Sequence, residues 1–262
     1  MITAITFIFF VLGLIIGSFL NVVILRLHTK KSFGGRSACM SCRNQLSWVE
    51  LIPLFSYVGL LGRCRNCKTK ISIQYPLVEL AVGIIFAALF LKFQDIFFIS
   101  TYAFAVTYAF YTLAFSLLVV ISAYDLKHKI IPDALSLTLG IVGFIGLFFF
   151  DNSGNLLPYF HLPYLMQFLS GPLIAAPFAL LWLVSSGRWM GLGDAKLLVG
   201  LGWLTGFSLA ISGVIVAFWI GAVAGLLLII FSKHYKFKSE IPFAPYLALG
   251  VLLAFLMDLH LF

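Results

Sequence analysis

The chain has 262 residues, of which 62% are hydrophobic and only 10% charged, and its mean hydropathy is +1.10. Soluble domains carry about 25% charged residues, so a water-soluble globule is excluded and the chain reads as a membrane protein. The net charge of +8 would suit nucleic acid only if the cations formed a patch; they lie in short gaps between apolar runs, and no nucleic-acid partner is expected.

The runs fall at roughly 2–25, 77–93, 97–124, 131–150, 163–186, 195–206, 207–231 and 241–261. A helical span needs about 20 apolar residues, with about 17–25 tolerated. Run 77–93 is at the short limit. Run 195–206 is too short alone, and fused with 207–231 it is too long for one helix, so Gly206 is expected to form a turn between them. The first run lacks a basic flank and exceeds the apolar length of a signal peptide, so it is expected to stay as a helix. The expected fold is an all-α polytopic membrane protein with about eight transmembrane helices. Its expected domains are 1–25 (first helix), 26–76 (cytoplasmic loop domain) and 77–262 (transmembrane domain).

Orientation follows from Lys and Arg, which concentrate on the cytoplasmic side. Loop 26–76 holds Arg26, Lys30, Lys31, Arg36, Arg43, Arg63, Arg65, Lys68 and Lys70. Placing that loop inside makes the N-terminus external. Alternation then puts Lys127, Lys129, Arg188, Lys196, Lys233, Lys236 and Lys238 inside, leaving Lys92 outside. Loop 151–162, with no Lys or Arg, falls outside. Merging the sixth and seventh runs would expel Lys233, Lys236 and Lys238, so charge favours eight spans.

All four cysteines lie in that loop, as Cys39-Met-Ser-Cys42 and Cys64-Arg-Asn-Cys67. Each CxxC turn aims two thiolates at one point, and two turns complete a tetrahedral S₄ zinc site. Basic neighbours (Arg43, Arg63, Arg65, Lys68) favour thiolates. Disulfides or free thiols are the alternative, but structural disulfides are rare in the reducing cytosol. A closed Cys₄ set leaves no position for water, so the zinc is expected to be structural. The apolar stretch Trp48–Tyr57 between the turns could pack on the zinc core, lie in the membrane interface or line a groove.

An ionisable side chain in or beside a membrane segment is costly and marks function by default. Asp95 and Glu240 read as loop residues, Asp151 begins the external loop, and Asp258 is near the C-terminal end. Asp125 closes the third run and Asp194 opens the sixth, both at cytoplasmic ends. Two carboxylates meeting on one membrane side are what an aspartyl protease needs: one ionised to take a proton from water, one protonated to polarise the peptide carbonyl. Gly191 and Gly193 permit close backbone approach beside Asp194. The alternatives are an N-cap role for Asp194 and pairing of Asp125 with Lys127 or Lys129. Asp133 in Ile131-Pro132-Asp133 suits a helix start. His28 and His128 have no metal-ligand spacing and read as loop or interfacial residues, and Tyr124 and Lys196 could tune the carboxylate pair.

Taken together, these residues resemble the prepilin peptidases, or type IV leader peptidases, among the GxGD intramembrane aspartyl proteases. The resemblance runs in order through Gly17-Ser18-Phe19-Leu20-Asn21-Val22, the two CxxC pairs, Glu50-Leu51-Ile52-Pro53-Leu54, Gly62-Arg63-Cys64-Arg65, Tyr75-Pro76-Leu77-Val78-Glu79-Leu80, Asp125 with Ile131-Pro132, and Gly191-Leu192-Gly193-Asp194-Ala195-Lys196-Leu197. It departs at Leu51, where the family often has Asn. The resemblance implies a bacterial inner-membrane enzyme that cleaves the basic leader of type IV prepilins and pseudopilins after Gly, at the cytoplasmic face. Asp125 and Asp194 match its catalytic pair. It further implies N-methylation of the new terminus from S-adenosylmethionine, linked to the loop and adjoining helix. The loop has no G-x-G-x-x-G, and on this resemblance Asn21, Glu50 and Glu79 are the candidates for the methyl-donor site. Glu79 and Asn21 read equally as interhelical hydrogen-bonding residues.

Three other readings remain: a proton-coupled transporter using Asp125 and Asp194 as a relay, which should show inverted repeats; a membrane-anchored zinc-knuckle adaptor; and a presenilin-like protease, which the zinc loop and Ile131-Pro132 oppose.

Overall fold

Helix ends in this chain are set by a few turn-forming residues between otherwise uninterrupted apolar sequence. The computed structural model describes residues 1–27, 29, 34–151, 154–157, 159–231 and 241–261. Lys30, Lys31, Lys233, Lys236, Lys238, Glu240 and His28 lie outside the described residues. Among the described residues the helices are α1 (Ile2–Arg26), α2 (Phe55–Gly59), α3 (Gln74–Ile99), α4 (Thr101–His128), α5 (Asp133–Gly146), α6 (Leu165–Ser185), α7 (Leu192–Thr205), α8 (Phe207–Phe231) and α9 (Ala244–Leu256). A 3₁₀ turn covers Trp48–Leu51, and extended pairing is limited to isolated bridges. The chain divides into two compact units, Met1–Gln94 and Asp95–Phe262.

The eight apolar runs correspond to eight helices of 13 residues or more. Gly206 separates α7 from α8 with φ +77, the left-handed region that glycine enters without strain. Ser100 ends the run into α3 and caps α4, its Oγ accepting the Ala103 N–H at 3.3 Å. One expectation needs correcting. Asp95 lies inside α3 rather than in a loop, because Lys92, Gln94 and Asp95 do not break a helix and the next cap comes only at Ser100.

Five helices (α1, α3, α4, α6 and α8) are long and apolar enough to cross a membrane. Their outer faces stay bare: only 17% of the α8 span is buried, and Trp219 and Phe231 stand exposed. Water would penalise such faces, whereas lipid solvates them. The other three long runs form shorter helices of 14 (α5), 14 (α7) and 13 (α9) residues. At a rise of 1.5 Å per residue these are about 20 Å long, against a hydrocarbon core of about 30 Å.

Close packing in the second unit depends on glycine. A Cβ at Gly143 of α5 would lie 2.7 Å from the Gly200 carbonyl of α7, and one at Gly202 would lie 2.7 Å from Gly171 Cα of α6. Both faces of α7 therefore touch backbone. With little hydrophobic drive between helices in lipid, such small-residue contacts carry the association. Gly202→Val is expected to force α6 off α7, because the atoms it meets are main chain and cannot rotate away. We expect a loss of about 1–3 kcal/mol, measured as a lower midpoint of thermal unfolding in detergent.

In the first unit α1 and α3 approach equally closely. A Cβ at Gly13 would lie 2.7 Å from the Val82 carbonyl, and one at Gly17 would lie 2.8 Å from Glu79 Cα.

Candidate active site and metal centre

The buried acids of the second unit sit where four helix ends gather. Asp125 is in the last turn of α4, which stops at Lys129 in the left-handed conformation (φ 54), the Lys129 N–H donating to the Asp125 carbonyl at 2.7 Å. Asp194 is the third residue of α7. Gly191 is that helix's N-cap, so Asp194 is not the capping residue. Asp125 is 5% exposed and Asp194 9%, and the two are near enough for the Asp125 charge to act on Asp194.

The surrounding contacts come from two more helix starts. Asp125 Oδ2 accepts the Ala244 N–H, the first of α9, at 3.2 Å. Its carboxylate makes no ion pair with Lys127 or Lys129 among the described residues. At the start of α7, a Cβ on Gly193 would lie 3.0 Å from Ile131 Cβ, just ahead of α5. Lys196 Nζ reaches across to Asp133 Oδ1 at 2.7 Å, pairing the first turns of α7 and α5. That pair is exposed and contributes little, about 0–1 kcal/mol. The N-termini of α5, α7 and α9 thus converge on the C-terminal end of α4. The positive ends of helix dipoles favour negative charge nearby, which suits an acid pair holding one charge. Tyr124 stacks on His128 with ring centroids 4.4 Å apart.

The four cysteines come together in the first unit, all four sulfurs within 4.8 Å of one another. The two turns are built alike. Cys39 N–H donates to Asn44 O at 2.9 Å, Arg43 N–H to Cys39 O at 3.0 Å and Leu46 N–H to Ser37 O at 2.9 Å. The second turn repeats this: Cys64 N–H to Thr69 O at 2.9 Å, Lys68 N–H to Cys64 O at 3.0 Å and Ile71 N–H to Gly62 O at 2.8 Å. Arg43 and Lys68 both take the left-handed conformation, φ 57 and 58. Cys39 Sγ and Cys67 Sγ are 3.8 Å apart. Four sulfurs about 2.3 Å from a tetrahedral zinc would stand about 3.8 Å apart, so the donor set fits that ion, and all four cysteines are free thiols rather than disulfides.

Without metal the cluster shares its protons unevenly. The Thr69 hydroxyl and N–H hold the Cys67 thiol down to about 6. The Cys42 N–H lowers Cys39. The Asn44 N–H also favours the Cys42 thiolate, but burial and the neighbouring sulfurs outweigh it and push Cys42 up to about 11. Metal binding therefore releases protons.

A third polar cluster lies between α1 and α3. Asn21 Nδ2 donates to the Tyr75 carbonyl at 3.0 Å, while its Oδ1 is buried without a partner. Glu79 Oε2 accepts the Leu54 N–H at 2.8 Å, and the Ser18 hydroxyl also bonds this carboxylate. Leu54 has φ 59 and ψ −51, with Phe55 N–H donating to Pro53 O at 2.6 Å. That is a γ-turn of the rare, strained kind, and Glu79 holds it. Of the three methyl-donor candidates, Asn21 and Glu79 share this cluster. Glu50 instead closes a capping box, its Oε2 accepting the Ser47 N–H at 2.8 Å and the Ser47 hydroxyl at 2.7 Å, and these bonds hold its carboxyl below the usual range. Trp48 and Phe55, in the apolar loop stretch, are largely exposed.

The residue that motif reading passed over is Ala244, which contributes only its backbone N–H; Leu54 stands in a motif that gave it no role. Pro245 announces a helix start at Ala244, but nothing local says which acid that start faces.

Fold and sites together define a multi-pass membrane protein with a pair of buried carboxylates at converging helix ends and a four-cysteine centre. A family model of the bacterial peptidase A24 N-terminal domain matches residues 11–93, and one of the type IV leader peptidase family matches residues 112–230. The chain is 34% identical over 242 residues to a prepilin leader peptidase/N-methyltransferase of Myxococcus xanthus, covering 88% of this chain and 65% of that protein. It is 32% identical over 272 residues to one of Xanthomonas campestris pv. campestris, covering 91% and 86%. It is 31% identical over 280 residues to one of Aeromonas salmonicida, covering 94% and 89%. No solved structure matches the chain. The chain belongs to the type IV leader peptidase family. That membership leaves the transporter reading without support.

Proposed function

We propose that this protein is a prepilin leader peptidase: an aspartic endopeptidase that cuts type IV prepilins and pseudopilins after Gly, then N-methylates the new terminus. The observation that carries the reading is the pair Asp125 and Asp194, buried on two different helices, with Asp194 within reach of the Asp125 charge. Two such acids cannot both ionise, so they share a proton and titrate as a unit. The ionised member takes a proton from water as the water attacks the scissile carbonyl, and the protonated member donates to the carbonyl oxygen; as the tetrahedral intermediate collapses, the first member passes the proton it took to the leaving amine and the second recovers its own. Asp125 is held in place by the Ala244 N–H, and no covalent intermediate is needed.

The setting is the bacterial inner membrane, crossed eight times, with the N-terminus external and the acids facing the cytoplasm. The starts of α5, α7 and α9 support the placing of the acids at a membrane face: they surround the pair, so a scissile bond there is offered polar helix ends and not lipid. Residues 26–76 form a cytoplasmic domain in which Cys39, Cys42, Cys64 and Cys67 hold a structural zinc that cross-links two turns with little core of their own. S-adenosylmethionine, when bound, supplies an electrophilic methyl group. Asn21 and Glu79 fit a role in that site because the unpartnered Asn21 Oδ1 and the Glu79 carboxylate are buried acceptors, and Glu50 lies in the adjoining loop.

The test is to incubate the purified protein with a prepilin and isotopically labelled S-adenosylmethionine, and to read the product by mass spectrometry. Loss of the leader with one labelled methyl on the new terminus is expected. An intact prepilin overturns the peptidase reading, and a cleaved but unlabelled product overturns the methylation reading alone.

A further inference from the structure

Three stretches distant in sequence, around Gly17 and Asn21, around Leu54, and around Tyr75 and Glu79, meet in the first unit, with Asn21 and Glu79 buried there. Gly17 lets α1 touch α3 beside Glu79, Asn21 donates to Tyr75 O, and Glu79 grips the strained turn at Leu54. What this meeting point lacks is a donor to one amide oxygen and a cation beside the carboxylate. Asn21 is 2% exposed and its Oδ1 has no partner. Glu79 is 7% exposed and no Lys or Arg pairs with it among the described residues. Buried acceptors are normally satisfied, and a buried carboxylate is normally paired.

The geometry points to a buried acceptor site, formed by Asn21 and Glu79, that takes a primary ammonium group. An ammonium brings three N–H donors and one positive charge, matching an amide oxygen with nothing to accept and a carboxylate with lone pairs to spare. A sulfonium would answer the charge but has no N–H, so it would leave Asn21 Oδ1 unsatisfied. This inference rests on the methyl-transfer reading and narrows it. Two participants in that reaction carry such a group: the new N-terminus released by cleavage, and the amino-acid end of the methyl donor.

Binding to the full-length protein in detergent separates the sources without any turnover. One pair of probes is a peptide with the mature prepilin N-terminus, free or N-acetylated. The other is S-adenosylhomocysteine and its desamino analogue. Blocking or removing the amine in one pair is expected to weaken binding at least ~10-fold, within the range expected when a buried polar group loses its partner, and that pair names the source. Asn21→Leu should erase the preference, and Asn21→Asp, which keeps the acceptor, should restore it. Equal binding within both pairs in the wild-type protein overturns the site, whatever the variants do. So does Asn21→Leu protein that keeps the full preference. Amine-dependent binding in a protein that never methylates would sink the methyl-transfer reading and leave the site standing.

Discussion

Asp194→Asn protein is expected to cleave prepilin about 10³-fold more slowly than the wild type or worse, and Asp125→Asn likewise, since a positioned acid or base contributes about 10²–10⁴-fold. Asparagine matches aspartate in size and can still donate a hydrogen bond. It can neither take a proton from water nor pass one to the leaving amine. On the proposed mechanism, in which the pair shares one proton, the double variant should be scarcely slower than either single variant. The measurement is the initial rate of leader removal by purified protein, with thermal unfolding in detergent as the control for folding. That control has a clear expectation: at Asp194 the change removes a buried acid without removing packing volume, so the unfolding midpoint should hold. A folded Asp194→Asn protein retaining a rate within about tenfold of wild type would end the aspartyl mechanism, whatever the family resemblance.

Removing two cysteines from different turns, as in Cys39→Ser with Cys64→Ser, is expected to drop bound zinc from about one per chain to near none, because a structural site needs its four ligands. The two turns are short and matched, each closed by three backbone hydrogen bonds, and the sulfur cluster ties one to the other. Without the ion, the loop should become sensitive to protease at Arg36, Arg43, Arg63 and Arg65, which flank the turns. Chelation of the wild-type protein should reproduce this, and added zinc should reverse it only in the wild type. Acid should do the same: metal holds all four thiols as thiolates, and falling pH returns their protons. Zinc content by mass spectrometry and limited proteolysis read both outcomes. Unchanged protease resistance after complete metal loss would show that the loop folds by other means.

Much of both centres is legible in the sequence because the chemistry involved is expensive. Acids are rare beside apolar runs, so Asp125 and Asp194 stand out by their cost alone, and the cysteines by a spacing that suits one metal. Gly206 is readable as the break between α7 and α8, since a fused run is too long for one helix and glycine enters the left-handed region without strain. Asp95 misleads for the converse reason: a charge at a run's edge reads as a loop, yet a helix continues until something caps or breaks it. Grouping Glu50 with Asn21 and Glu79 rests on motifs in a line, whereas the capping box at Ser47 is a local bond that occupies the Glu50 carboxylate.

By itself, the sequence determined a membrane-embedded helical chain, the places where its helices could end, and the residue types able to carry protons or bind metal, because burial cost and local turn chemistry act over a few residues. Only the tertiary structure decided that the starts of α5, α7 and α9 converge on the end of α4, that the Ala244 N–H meets Asp125, and that Glu79 reaches the strained Leu54 turn while Asn21 keeps a buried oxygen without a donor. Those relations join positions up to 119 residues apart, and they depend on glycine-lined helix contacts whose partners no local pattern specifies.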